Sequence, residues 1–160
     1  ETGVLEFKGP NVFKGYWRNA EKTADDFRKE RYFISGDLST IDPDGRVTIV
    51  GRAKDLIISG GFNVYPKEIE SEINAITGVG ESAVVGVPHP DFGEAVVAII
   101  TPAAGGKAPD EATVVKALAE RLAKFKQPKR VFILDDLPRN AMGKVQKAEL
   151  RKTYETIFKK

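Results

Sequence analysis

The sequence predicts an α+β fold: the end of a β-rich subdomain over residues 1–51, then a small C-terminal α+β domain over residues 52–160 with helices packed on a small sheet. Three observations carry this. Short β-branched and aromatic runs dominate residues 1–51, with one short helical stretch. From Arg52 such runs alternate with longer segments whose apolar residues recur every three or four positions. Hydrophobic side chains make up 41% of 160 residues, enough to bury one core or two small ones.

Val4-Leu5-Glu6-Phe7 reads as a strand that ought to pair with something earlier, so the chain, which starts at Glu1, is expected to be a fragment. Residues 20–27 read as a short helix after Gly15-Tyr16-Trp17, and residues 32–34, 38–41 and 47–50 as strands. Asp42-Pro43-Asp44-Gly45 is a turn because Pro fixes φ and Gly permits a positive φ, which predicts a hairpin between the last two strands. After Pro66, which suits a first helical turn, Ile69, Ile73 and Ile76 form a stripe that Glu68, Glu70 and Glu72 avoid. Residues 82–87 and 95–101 are β-branched strands, with residues 88–93 as the loop between them. Val115, Leu118, Leu122 and Phe125 have helical spacing, closed off by Pro128. Residues 131–134 read as a strand, and Leu150, Tyr154, Ile157 and Phe158 mark a last helix. The order from Arg52 is then β-β-α-β-β-α-β-α.

Composition removes several classes of function. There is no cysteine, which excludes disulfide scaffolds, thiolate catalysis and cysteine zinc sites, and the single histidine, His89, cannot build a histidine metal cluster. No metal site is expected, and any metal must be held through carboxylates or phosphates. Neither a signal-peptide pattern nor an apolar run of about 18 residues occurs, so the expectation is a cytoplasmic chain without a membrane partner. Net charge is only +2, but residues 121–160 carry 12 Lys and Arg against 4 Asp and Glu, a local anion-attracting surface. A single-strand nucleic-acid platform needs aromatics interleaved with such charges, and only Phe125 and Phe132 precede the last helix there, so no nucleic-acid partner is expected.

Four places can carry chemistry. Gly60-Gly61 lacks the spaced glycines and Lys-Ser/Thr of a P-loop, and reads either as a hairpin turn or as bare backbone past which a slender ligand can run. Lys144 follows Gly143 in a loop, as an ordinary solvated charge or as a cation delivered to an anion. Asp37 and Arg52 stand at strand ends, as a surface ion pair or as a carboxylate and a guanidinium that fix a hydroxyl-rich ligand. Phe125, Lys126, Lys129 and Arg130 join a ring to a basic cluster, which suits a dressed helix end or a nucleotide with several phosphates. Trp17 with Tyr16 reads as core packing, and His89 as a loop residue without a catalytic role.

In this order the segments GPNVFKGYWRNAEKT, YFISGDL, GRAKDLIISGGFNVYPKEIE and LPRNAMGKV resemble the C-terminal third of adenylate-forming acyl-CoA synthetases, the superfamily that includes firefly luciferase and peptide-synthetase adenylation domains. The resemblance covers the whole chain. It implies that Asp37 binds ribose hydroxyls of ATP and acyl-AMP with help from Arg52. Lys54 matches the hinge between a large N-terminal and a small C-terminal domain, and Lys144 the adenylation lysine. Gly60 and Gly61 match the loop lining the pantetheine tunnel, and Phe125 and Lys129 the residues that hold the nucleotide end of CoA. The family often has Thr where Ser35 stands. The runs GGFNVYPKEIESEI and PRNAMGKVQK are similar to those of malonyl-CoA synthetases.

The implied reaction joins a small carboxylic acid, Mg·ATP and CoA through acyl-AMP. The family's phosphate loop, magnesium glutamate and acyl pocket do not occur in these residues, so an N-terminal adenylation domain is the expected partner and the chain alone is expected to be inactive. A free-standing nucleotide-responsive or protein-binding module of the same fold is the contrasting reading.

Overall fold

A computed structural model describes residues 1–159. The chain parts into two compact units, Glu1–Lys54 and the residues from Asp55 onward.

The first unit contains β1 (Thr2–Phe7), α1 (Ala20–Asp26), β2 (Phe33–Ile41) and β3 (Val47–Arg52). The strands form one antiparallel sheet in the order β1-β2-β3, with β1 paired along one edge to the later β2. The two short strands expected at residues 32–34 and 38–41 are one. Gly36, at φ 73°, carries the backbone through a bulge opposite Leu5, where the Ser35 hydroxyl donates to Leu5 O at 2.8 Å. The predicted hairpin at residues 42–45 joins β2 to β3. Asn19 caps α1 by accepting from Lys22 N. Phe13 meets Tyr16, Phe27 and Phe33 edge-on at centroid distances of 5.1, 5.3 and 5.1 Å. Trp17 is no core residue: it is 87% exposed, beside the Arg18 guanidinium. Among the described residues of this unit only Leu38 and Ser39 are buried.

The second unit is built around a long hairpin of β6 (Val79–His89) and β7 (Gly93–Pro102). It also contains β4 (Ile57–Ser59), β5 (Phe62–Val64), α2 (Pro66–Asn74), α3 (Glu111–Ala119), β8 (Arg130–Ile133) and α4 (Lys147–Tyr154). That is the predicted element order. β4 and β8 meet β7 at different points along it: Ser59 pairs with Gly93, while β8 runs parallel to residues 97–100 after the crossover through α3. Along β6 and β7 the side chains alternate between two cores, which is why both strands read as nearly unbroken apolar runs. Val84, Val96, Ala98 and Ile100 face a core completed by Ile69 and Ile73 of α2 and Val114 and Leu118 of α3. Val85, Val87, Val97 and Ile99 face a second core with Leu137 and Leu150.

Three boundaries differ from the sequence reading. Pro88 and His89 belong to β6, paired with Glu94 and Gly93, which shortens the expected loop. Asp110 starts α3 by accepting from Thr113 N at 2.9 Å, but the helix stops at Ala119, and Leu122 and Phe125 reach the same core from turns that follow it. The last helix ends at Tyr154, and Ile157 and Phe158 pack on the second core from the next turn. Helical spacing survives a change to turns because a core selects side-chain positions and not the backbone that brings them.

Among the described residues no helix is long and apolar enough to cross a membrane, and no group of three or more His, Asp or Glu side chains is placed to hold a metal ion.

Candidate functional site

In the first unit the bulge of β2 aims Asp37 at Arg52, its register partner on β3. Arg52 Nη1 lies 2.6 Å from Asp37 Oδ1 and 3.2 Å from Ser35 O, and Ser35 Oγ accepts from Asp37 N at 3.0 Å. One carboxylate oxygen is thus fixed by a charge-assisted bond, while Oδ2 has no hydrogen bond among the described residues and can accept from a hydroxyl. Lys54 is exposed in the 3-10 turn Ala53–Asp55, the last residue before the second unit.

In the second unit β4 and β5 pair Ser59 with Phe62, leaving Gly60 and Gly61 as a two-residue turn. Their φ values, 58° and 83°, have the signs of a type I′ turn, which suits the twist of a hairpin. Gly60 N donates to Phe92 O at 2.9 Å, tying this turn to the tip of the β6–β7 hairpin. A Cβ on Gly61 would meet nothing within 4 Å. Beside the turn, Phe62 stacks on Phe125 at 4.5 Å, and Lys129 lies 5.1 Å from the ring centroid of Phe92. All four residues that the resemblance links to CoA therefore gather at one end of the sheet. The other two cations of that basic cluster are engaged: Lys126 pairs with Glu68 at 2.6 Å and Arg130 with Glu111 at 3.3 Å.

Lys144 stands at the other end. Its loop is closed by a bridge between Arg139 and Val145, and its side chain is exposed, with no ion pair or hydrogen bond among the described residues. The loop is attached to β6 through an ion pair between Arg139 and Glu81, whereas the glycine turn sits by Phe92 and Gly93, at the far end of the hairpin. Glu81 and His89 are eight residues apart on β6. At about 3.3 Å per residue the two ends are roughly 26 Å apart.

Sequence reasoning missed Phe62 and Phe92 at the glycine end, and Glu81, Arg139 and Asn140 at the lysine end. Phe62 adjoins the glycine pair and Asn140 lies within the Lys144 motif, so local attention could have found those two. Phe92 and Glu81 enter only through contacts over long sequence separations, the hydrogen bond from Gly60 N to Phe92 O and the ion pair of Arg139 with Glu81. His89 is more than a loop residue: its ring stacks on Phe92 at 4.6 Å and lies 4.9 Å from Phe158, beside a cleft of about 540 Å³.

Residues 68–144 match the AMP-binding enzyme C-terminal domain. The chain belongs to the adenylate-forming acyl-CoA synthetase superfamily, corresponding to the C-terminal part of its members. Among solved structures it is similar to ATP-bound MatB from Rhodopseudomonas palustris, with 60% identity and a TM-score of 0.90 over 99% of this chain and 31% of that one. Curated relatives include a feruloyl-CoA synthase of an Amycolatopsis species, 44% identical over 96% of this chain and 31% of that protein. Another is the 2-succinylbenzoate–CoA ligase of Geobacillus kaustophilus, 42% identical over 95% of this chain and 31% of that protein. The chain thus spans about a third of the length of the relatives it matches, and these relatives are acyl-CoA ligases.

Proposed function

We propose that this chain is the C-terminal part of an AMP-forming acid–CoA ligase that makes acyl-AMP and then acyl-CoA. The observation that carries the reading is the placement of an exposed, unengaged lysine and of a bare glycine turn at opposite ends of one small domain. Two sites anchored at opposite ends of one hairpin, ends that are about 26 Å apart along β6, cannot both stand at one reacting carbon, so each serves its own step. In the first, a carboxylate oxygen attacks the α-phosphorus of ATP and pyrophosphate leaves, with the Lys144 ammonium between the two anions. In the second, the CoA thiol attacks the acyl carbon and AMP leaves, with Gly60 and Gly61 beside the pantetheine arm and Phe125 and Lys129 at the nucleotide end. Asp37 accepts from the ribose hydroxyls, with Arg52 holding its carboxylate. Mg²⁺, held by residues outside this chain, neutralises phosphate charge.

In this reading residues 1–51 complete a large adenylation domain, residues 52–160 are the small mobile domain, and Lys54 is the hinge between them. The division between compact units directly after Lys54 supports it. The enzyme works in the cytoplasm on small carboxylic acids. Malonate is the acid we favour, on the resemblance of the glycine-turn and lysine motifs to malonyl-CoA synthetases; the acyl pocket itself lies in the partner domain.

The test gives the full-length protein Mg·ATP, CoA and a panel of short mono- and dicarboxylic acids. AMP, pyrophosphate and an acyl-CoA thioester are expected, with the highest kcat/KM for malonate. Release of ADP, or no thioester with any acid, overturns the ligase reading, and a better acid than malonate overturns the refinement.

A further inference from the structure

Lys144 is mounted with unusual care for an exposed residue, and Asn140 does most of the mounting. The Asn140 side-chain oxygen accepts from Lys144 N and Met142 N, each at 3.0 Å, and Asn140 N donates to Lys144 O at 2.9 Å. Both backbone polar groups of the lysine are therefore held by one residue. Gly143, at φ 75°, lets the chain reverse, and its N–H donates to Asn140 O at 2.9 Å. Arg139 then fastens this loop to the sheet: its Nη1 donates to Gly143 O at 2.9 Å, and its Nη2 pairs with Glu81 of β6. β6 is buried on both faces over most of its length, a rigid base for such an anchor.

We infer that Arg139 and Asn140, with Glu81 as anchor, are positioning residues that fix where the Lys144 ammonium is delivered. The inference rests on the reading of Lys144 as the adenylation cation. Arg139 is not itself offered to a substrate, because its guanidinium is already committed to Gly143 O and Glu81. Nor is stability an adequate explanation for the pair. Both side chains are more than a third exposed, and such ion pairs contribute little to folding. What they supply is orientation, and a displacement of about 1 Å at a reacting group can cost on the order of a hundredfold in rate.

Single-turnover kinetics on the full-length enzyme separate the alternatives, following acyl-AMP formation and, independently, the reaction of supplied acyl-AMP with CoA. Arg139→Ala, Glu81→Arg and Asn140→Ala should each slow acyl-AMP formation by about tenfold to a hundredfold, through kcat and not the KM for ATP, and leave the CoA step unchanged. Asn140→Asp, which keeps the acceptor oxygen, should recover most of the loss, and Arg139→Glu combined with Glu81→Arg should outperform Glu81→Arg alone. Equal slowing of both steps, or no recovery in either compensated variant, overturns the inference. Normal adenylation in these variants of an enzyme that Lys144→Ala disables sinks the inference alone. Normal adenylation in Lys144→Ala itself sinks the reading beneath it too.

Discussion

Glu70 is a carboxylate on α2 that is nearly withdrawn from water, and its position is explained by two partners. Its Oε1 accepts from Val84 N on β6 at 2.9 Å and lies 2.6 Å from Lys147 Nζ of α4. The pair spans the outer edge of β6, so helices from opposite faces of the sheet are tied across an edge that would otherwise offer unpaired backbone groups. Removing the carboxylate leaves a buried N–H and a half-sheltered ammonium unpaired. Glu70→Ala should therefore cost about 2 kcal/mol or more in urea unfolding, and Glu70→Gln, which can still accept from Val84, distinctly less. A loss below about 0.5 kcal/mol would show that water replaces the bridge. None of this is legible in the sequence, where Glu70 is one of three glutamates that lie off the isoleucine stripe of α2. Asp37 and Arg52 are readable as a pair because each follows a glycine, yet Asp37 lies inside β2 and not at the expected strand end, and the contact depends on a register that sequence does not state.

Among elements, the β4–β5 hairpin shows which part of a structure a local pattern specifies. Two glycines between short apolar runs encode the turn, and the turn forms as expected. What the pattern does not encode is the neighbour: Phe92 and the tip of the β6–β7 hairpin reach Gly60 from thirty-two positions away. The two requirements on these glycines, backbone conformation and absence of a side chain, separate by substitution. Gly60→Asn tolerates φ 58° and so should leave thermal stability close to that of the parent, while its side chain slows the CoA step. Gly60→Val should lose stability as well, by about 1–2 kcal/mol, because a β-branched residue is strained there. Stability curves and single-turnover thioester formation measured on both variants check this; a Gly60→Asn enzyme with a normal CoA step would reduce the glycine to a turn former. The misplaced ends of α3 and α4 have the converse origin, since Leu122, Phe125, Ile157 and Phe158 keep helical spacing while the chain reaches their cores in turns.

For the whole molecule, the proposed function has one small domain carry two working ends, with residues at Lys54 letting it present them in succession. Lys54→Pro probes the succession itself. A φ near −65° suits position 54 of the 3-10 turn Ala53–Asp55, and proline there resists the large φ change that a hinge requires. Proline also restricts Ala53 before it. Acyl-AMP formation should survive this change better than thioester formation.

The most direct test follows both half-reactions, in single turnovers, on the full-length enzyme and on its Lys144→Ala and Lys54→Pro variants side by side. A crossed result is expected: Lys144→Ala loses acyl-AMP formation by about a hundredfold or more, the loss of a transition-state cation, and still converts supplied acyl-AMP to thioester. Lys54→Pro makes acyl-AMP and accumulates it. Parallel loss of both half-reactions in each variant would contradict the assignment of separate steps to the two ends of the domain.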